Sequence, residues 1–194
     1  MGWPAGSWVT GGRGRVLGRL GWFMSDAPAL PDTLLLDELR SAFRRQKAQA
    51  ERAVAQLPPE RWSARLDDGD GNSVSVLLRH LAGNLRSRWR DPLTTDGEKP
   101  DRGRNAEFED ADASPDALMA AWESGWSVAL ATLDALRPED LGREITIRGE
   151  PLTLARGLVR SLDHTGHHVG QIVMLAKHLC GPAWATLSLP RQRA

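Results

Sequence analysis

Residues 158–179 read LVRSLDHTGHHVGQIVMLAKHL. In this stretch Leu158, Leu162, Thr165, Val169, Ile172, Ala176 and Leu179 follow one another at spacings of 4, 3, 4, 3, 4 and 3 residues. That rhythm is the seam of a helix packed in a bundle. Ser161, His164, His168, Gln171 and Leu175 form a second stripe along one flank, while Arg160, Asp163, His167, Lys177 and His178 fall on the other side. The pattern predicts a long amphipathic helix over residues 153–179, stopped by Gly181-Pro182. Such a helix needs partners against which to bury its seam.

The rest of the chain supplies them. Leu35, Leu36, Leu39, Phe43, Ala50, Val54 and Leu57 predict a first helix over residues 32–57, capped by Asp32 or Thr33 and ended by Pro58-Pro59. Val74, Leu77, Leu78, Leu81 and Leu85 predict a second over residues 73–90, with its cap at Asn72 or Ser73. Ser114-Pro115-Asp116 opens a third, whose inner face is Leu118, Trp122, Gly125, Ala129, Leu133 and Leu136, and Pro138 ends it. Gly125 permits a close helix approach, and Trp122 and Trp126 read as core. Residues 143–154 (REITIRGEPLTL) alternate about Gly149 as a small β-hairpin. Two strands are too few to stand alone, so the hairpin is an ornament on helices. The expected fold is therefore all-α: a four-helix bundle with a hairpin before the last helix.

Between the second and third helices, residues 91–113 carry many charges and no periodicity. They read as a long crossover, either a solvated loop or a flap that shapes a cleft. Residues 61–73 hold Asp68, Asp70 and Asn72, but the position where a calcium loop needs glutamate is Arg79, so this is a linker. Residues 1–23, rich in Gly and Trp and free of acidic residues, differ from the rest. They read as an over-extended start or a disordered extension, because Arg19 interrupts the apolar run a signal peptide requires. Residues 24–194 read as one helical domain, with Trp184 and Leu187 of the tail folded back on it.

The 25 basic and 25 acidic residues balance, which argues against a nucleic-acid binder. No apolar run approaches the roughly 20 residues of a membrane span. The single cysteine, Cys180, excludes an intrachain disulfide and points to the cytoplasm; at a helix end it reads as a small buried hydrophobe.

The chemistry lies with histidines. His164 and His168 are four residues apart, so on a helix they share a face with Cβ atoms about 5–6 Å apart, close enough to ligate one divalent metal through nitrogen. His80 sits at the edge of the apolar face of the second helix, the candidate third ligand. Asn84, one turn on, is placed either to bridge helices or to orient His80. His167 and His178 read as solvated. Three neutral imidazoles leave a metal with open positions, where a water or a thiol is made more acidic.

Helix two, NSVSVLLRHLAGNLRSRW (72–89), with HTGHHVGQIVMLAKHL (164–179) resembles the DinB-like superfamily, which includes YfiT-type metal-dependent hydrolases. The shared features are a lone His inside helix two and a final-helix His-x-x-x-His-x-Gly-Gln. Residues 93–102 and 184–191 resemble an uncharacterised branch. The resemblance implies a four-helix bundle, a divalent metal such as zinc or nickel held by His80, His164 and His168, and a homodimer. Several branches are S-transferases using bacillithiol, mycothiol or glutathione, where the metal activates the thiol. Val169 departs from the Arg that many relatives carry there, which leaves the ligands untouched but puts in doubt a contact from that position to the carboxylate of a thiol cofactor. Two kinds of function follow: a metal-dependent enzyme on a small-molecule substrate, transferring a low-molecular-weight thiol or hydrolysing with water, and a non-catalytic binding or stress-related interaction bundle whose metal is structural.

Overall fold

The computed structural model describes residues 31–66, 71–109 and 113–188. The readings of residues 1–23, and those of Asp68 and Asp70, lie outside these. Four helices form the body: α1 (Asp32–Val54), α2 (Val74–Trp89), α3 (Pro115–Ala135) and α4 (Leu154–Cys180). The hairpin β1 (Glu144–Ile147) and β2 (Glu150–Thr153) precedes α4, as its alternation predicts. α1 packs chiefly on α4 and α2 chiefly on α3, while α2 also reaches α4. Among the described residues no helix is long and apolar enough to cross a membrane.

α1 departs from expectation at both ends. It starts from Pro31 with no side-chain cap; Asp32 is its first residue, with its carboxylate at the positive end of the helix dipole. It stops at Val54 rather than Leu57, because Pro58 disfavours helical backbone at the residue before it. Leu57 is buried from the turn instead. The other caps are as read: Ser73 accepts from the Val76 N–H and Ser114 from the Ala117 N–H.

The core is aromatic. Trp89, Trp122, Trp126 and Phe43 are fully buried, with Trp122 and Trp126 5.4 Å apart and edge-on. A tryptophan buries about 150–250 Å², so each stabilises by roughly 4–6 kcal/mol before entropy is counted. α2 is buried on nearly every side, since α3, α4 and the crossover all cover it. At Gly125 a Cβ would lie 2.4 Å from the Ala82 carbonyl oxygen, so the closeness of α2 and α3 requires glycine there.

The crossover is a flap, not a solvated loop. It doubles back along α2, where Ser87 Oγ donates to Gly97 O and accepts from the Lys99 N–H. Its Asp96 carboxylate accepts from the backbone N–H groups of Glu98, Arg148 and Gly149, at 2.6–2.9 Å. That ties the flap to the hairpin turn, where Arg148 and Gly149 both have positive φ, as a tight two-residue hairpin turn requires. The hairpin packs in turn on α4 at Gly157, where a Cβ would meet Ile145 Cδ1 at 2.8 Å. Thr153 is at once the last residue of β2 and the N-cap of α4, accepting from the Arg156 N–H. Trp184 and Leu187 pack back against the core as read, and Arg52 donates to Leu187 O.

Candidate metal centre

α2 and α4 bring His80, His164 and His168 together. One ring nitrogen from each lies within 4.8 Å of the other two. Ring centroids are 4.6 Å apart for His164 and His168, and 4.9 and 5.2 Å from His80 to His168 and His164. The α-helical period aims the pair on α4, and Trp89 fixes the crossing by donating its indole N–H to Ser161 Oγ, one turn before His164. His167 and His178 are exposed, as read.

Two of the imidazoles are held by partners. His80 Nδ1 lies 2.9 Å from Glu107 Oε2. An ionised carboxylate only accepts, so His80 carries its proton on Nδ1 and leaves Nε2 with a free lone pair. His168 Nδ1 lies 2.8 Å from Gln171 Oε1, a carbonyl acceptor, so its Nε2 is bare as well. Second partners of this kind orient metal-binding histidines and fix their tautomers. His80 Nε2 is 3.2 Å from His164 Nε2, comparable with the separation of about 3.0–3.4 Å between two nitrogens each bound at about 2.1 Å to one ion. His164 Nε2–H donates to His80 Nε2, and His164 Nδ1 is buried with no partner among the described residues. Burial, then the neighbouring His168 and His80, push the His164 pKa down to about 4. Burial lowers His168 too, against the Gln171 hydrogen bond. Both stay in the neutral form that ligates metal. The donor set thus fits a divalent ion that accepts imidazole nitrogen.

Glu107, from the crossover, is the residue the periodicity of the sequence did not reveal. Asn84 is buried in the wall of the site, but it is Glu107 that orients His80. The carboxylate reaches His80 past Gly83, where a Cβ would meet Glu107 Oε1 at 2.1 Å. Arg102 grips it through both oxygens at 2.7 Å, and Glu98 lies beyond, paired with Arg102, Arg88 and Arg148. Burial pushes Glu107 up, but the hydrogen bonds from Arg102 and His80 outweigh it and hold the carboxyl below its ordinary value. The one signal in the sequence was glycine at position 83, on the same helix face as His80 and Ser87.

A cleft of about 350 Å³ opens over the histidines, walled by α2, α4, the hairpin and the crossover. Phe108 stacks on His80 at 4.6 Å, tilted by 40°, and the Arg104 guanidinium lies over the Phe108 ring at 5.5 Å. No curated protein matches the chain. Residues 32–193, which carry the four helices, the crossover and all three histidines, match the family model described as Protein of unknown function (DUF1572). The chain therefore belongs to the DUF1572 family, which is DinB-like.

Proposed function

We propose that the chain is a divalent-metal-dependent enzyme acting on a small-molecule substrate, and that its reaction is transfer of a low-molecular-weight thiol to an electrophile. The observation that carries this reading is the convergence of three imidazoles at an open cleft, two of them held as ligating tautomers by Glu107 and Gln171. Three protein ligands with room above them is the donor count of a catalytic site, whereas structural zinc sites close with four. Nitrogen donors suit zinc or nickel. When bound, the ion supplies Lewis acidity that makes a thiol or a water more acidic.

The protein's own residues position the reaction. Phe108 covers His80 and keeps water from that side. The cleft wall has no cysteine. Cys180 lies twelve residues beyond His168, about 18 Å along the helix, with its thiol donating to Gln56 O. Ser161 Oγ is engaged by Trp89. The nucleophile thus comes with the substrates, which favours thiol transfer over a protein-bound intermediate. The reading includes a homodimer and the reduced thiol pool of the cytoplasm.

The test is metal content of the purified protein by mass spectrometry, beside His80→Ala, His164→Ala, His168→Ala and a His167→Ala control. Near-stoichiometric divalent metal, lost in the first three and kept in the control, is expected. No metal in any sample after loading with zinc or nickel would sink the reading. Product analysis of electrophiles incubated with and without thiol then separates transfer from hydrolysis.

A further inference from the structure

The cleft over the histidines is lined by the arginines Arg88, Arg102, Arg104, Arg148 and Arg160, and among the described residues by no acidic one. The carboxylates behind the wall do not balance them. Arg88 and Arg148 share Glu98, and Arg102 is divided between Glu98 and Glu107. Among the described residues the Arg104 guanidinium has only the Phe108 ring, and the Arg160 guanidinium has no ion pair or hydrogen bond. Among the described residues, five guanidiniums line one cavity with two carboxylates paired to them, in a chain whose overall charge is zero. A bound divalent ion would add to the imbalance.

Position strengthens the point. Arg160 is one turn before His164 on α4 and lines the cleft with it, a correction to the sequence reading that puts it on the other side: at four residues apart the two share a face. Arg104 stands on the crossover over the Phe108 ring and lines the same cleft. Both arginines are exposed. Ile145, Ile147 and Phe108 give the wall an apolar part, beside the polar Asn84 and Ser161. Guanidinium is the side chain that meets carboxylate and phosphate through paired hydrogen bonds. A volume near the lower end of ligand pockets admits only a small molecule.

We infer that the cleft takes a small organic oxyanion, a carboxylate or phosphate monoester, whose charged end is clamped by Arg104 and Arg160 while its apolar body lies on Ile145, Ile147 and Phe108 and its reacting end faces the three histidines. This names the substrate class of the proposed enzyme and rests on that reading only for the direction of the reacting end. The clamp itself is independent of metal.

The test measures binding of phenylacetate, phenyl phosphate and uncharged phenylacetamide by calorimetry. Metal-loaded and chelator-treated full-length protein are compared with Arg104→Gln, Arg160→Gln, the double variant and an Arg156→Gln control. An anion is expected to bind roughly a hundredfold more tightly than the amide, since each of the two guanidiniums adds a charged hydrogen bond worth about tenfold, or about 1.4 kcal/mol. The preference should fall about tenfold in each single variant, vanish in the double variant and persist in the control. Whichever anion binds more tightly identifies the headgroup. Equal binding of anion and amide, an anion preference that survives in the double variant, or no saturable binding of either anion at millimolar concentration would overturn the inference. Anion preference that persists in chelator-treated protein, when no metal loads at all, would keep the clamp and sink the metalloenzyme.

Discussion

Glu107 holds the site together from the side that no helical pattern marks. Its carboxylate accepts from His80 Nδ1 and from Arg102, and all three side chains are buried. Glu107→Gln keeps the volume and removes the charge. It is expected to weaken metal binding roughly tenfold to a hundredfold and to lower stability by about 1–3 kcal/mol, because the Arg102 guanidinium loses its ionic partner. A chelator-competition titration and a urea melt read the two effects; unchanged metal affinity would show that His80 needs no orienting carboxylate. The three histidines were legible in the sequence because helical period converts spacing into direction, and both helices formed as read. Glu107 was not, since an aperiodic segment gives no face to its residues. Asn84 had the right spacing from His80, but a contact within one helix could not reveal a carboxylate arriving from 27 residues on.

At the scale of elements, α2 and α3 come close enough at Gly125 to exclude a side chain. Gly125→Ala would drive a methyl into the Ala82 backbone, within 2.4 Å of its oxygen and 2.7 Å of its Cα. Backbone cannot rotate away, so the helices must separate, at a cost of about 1–3 kcal/mol. Gly170→Ala, with nothing within 4 Å, should instead stabilise by about 0.5–1 kcal/mol through helix propensity. Urea denaturation of the two variants decides the matter; equal effects would mean that helix packing is not set by Gly125. The hairpin and the caps at Ser73 and Ser114 were readable because each is a local pattern. The end of α1 was misread because Leu57 keeps the period while Pro58 breaks the backbone, and the backbone decides.

In the whole molecule, the flap is fastened to the hairpin across some fifty residues by Asp96. Burial pushes its carboxyl up, but the N–H groups of Glu98, Gly149 and Arg148 outweigh this and hold it below its ordinary value. The folded pKa is thus below the unfolded one. The stabilisation is complete above the unfolded value of about 3.9 and is lost as pH falls through the folded value. Asp96→Asn should cost about 1–2 kcal/mol at neutral pH, and its stability curve should converge with that of the parent in strong acid. Denaturation across the acid range tests this, and a gap that stays constant with pH would contradict it. The four helices were apparent in the sequence, but the crossover stayed open between a solvated loop and a flap, because charged residues look solvated until their partners, such as Ser87, Glu98 and Arg148, are known. One seam tolerates no change of length. Since Thr153 ends the strand and caps the following helix, an inserted residue there would turn α4 by about 100° against the hairpin and swing both of its histidines off the cleft. Over evolutionary time, insertions and deletions should therefore collect in the stretch between residues 61 and 73 and spare the junction at residue 153.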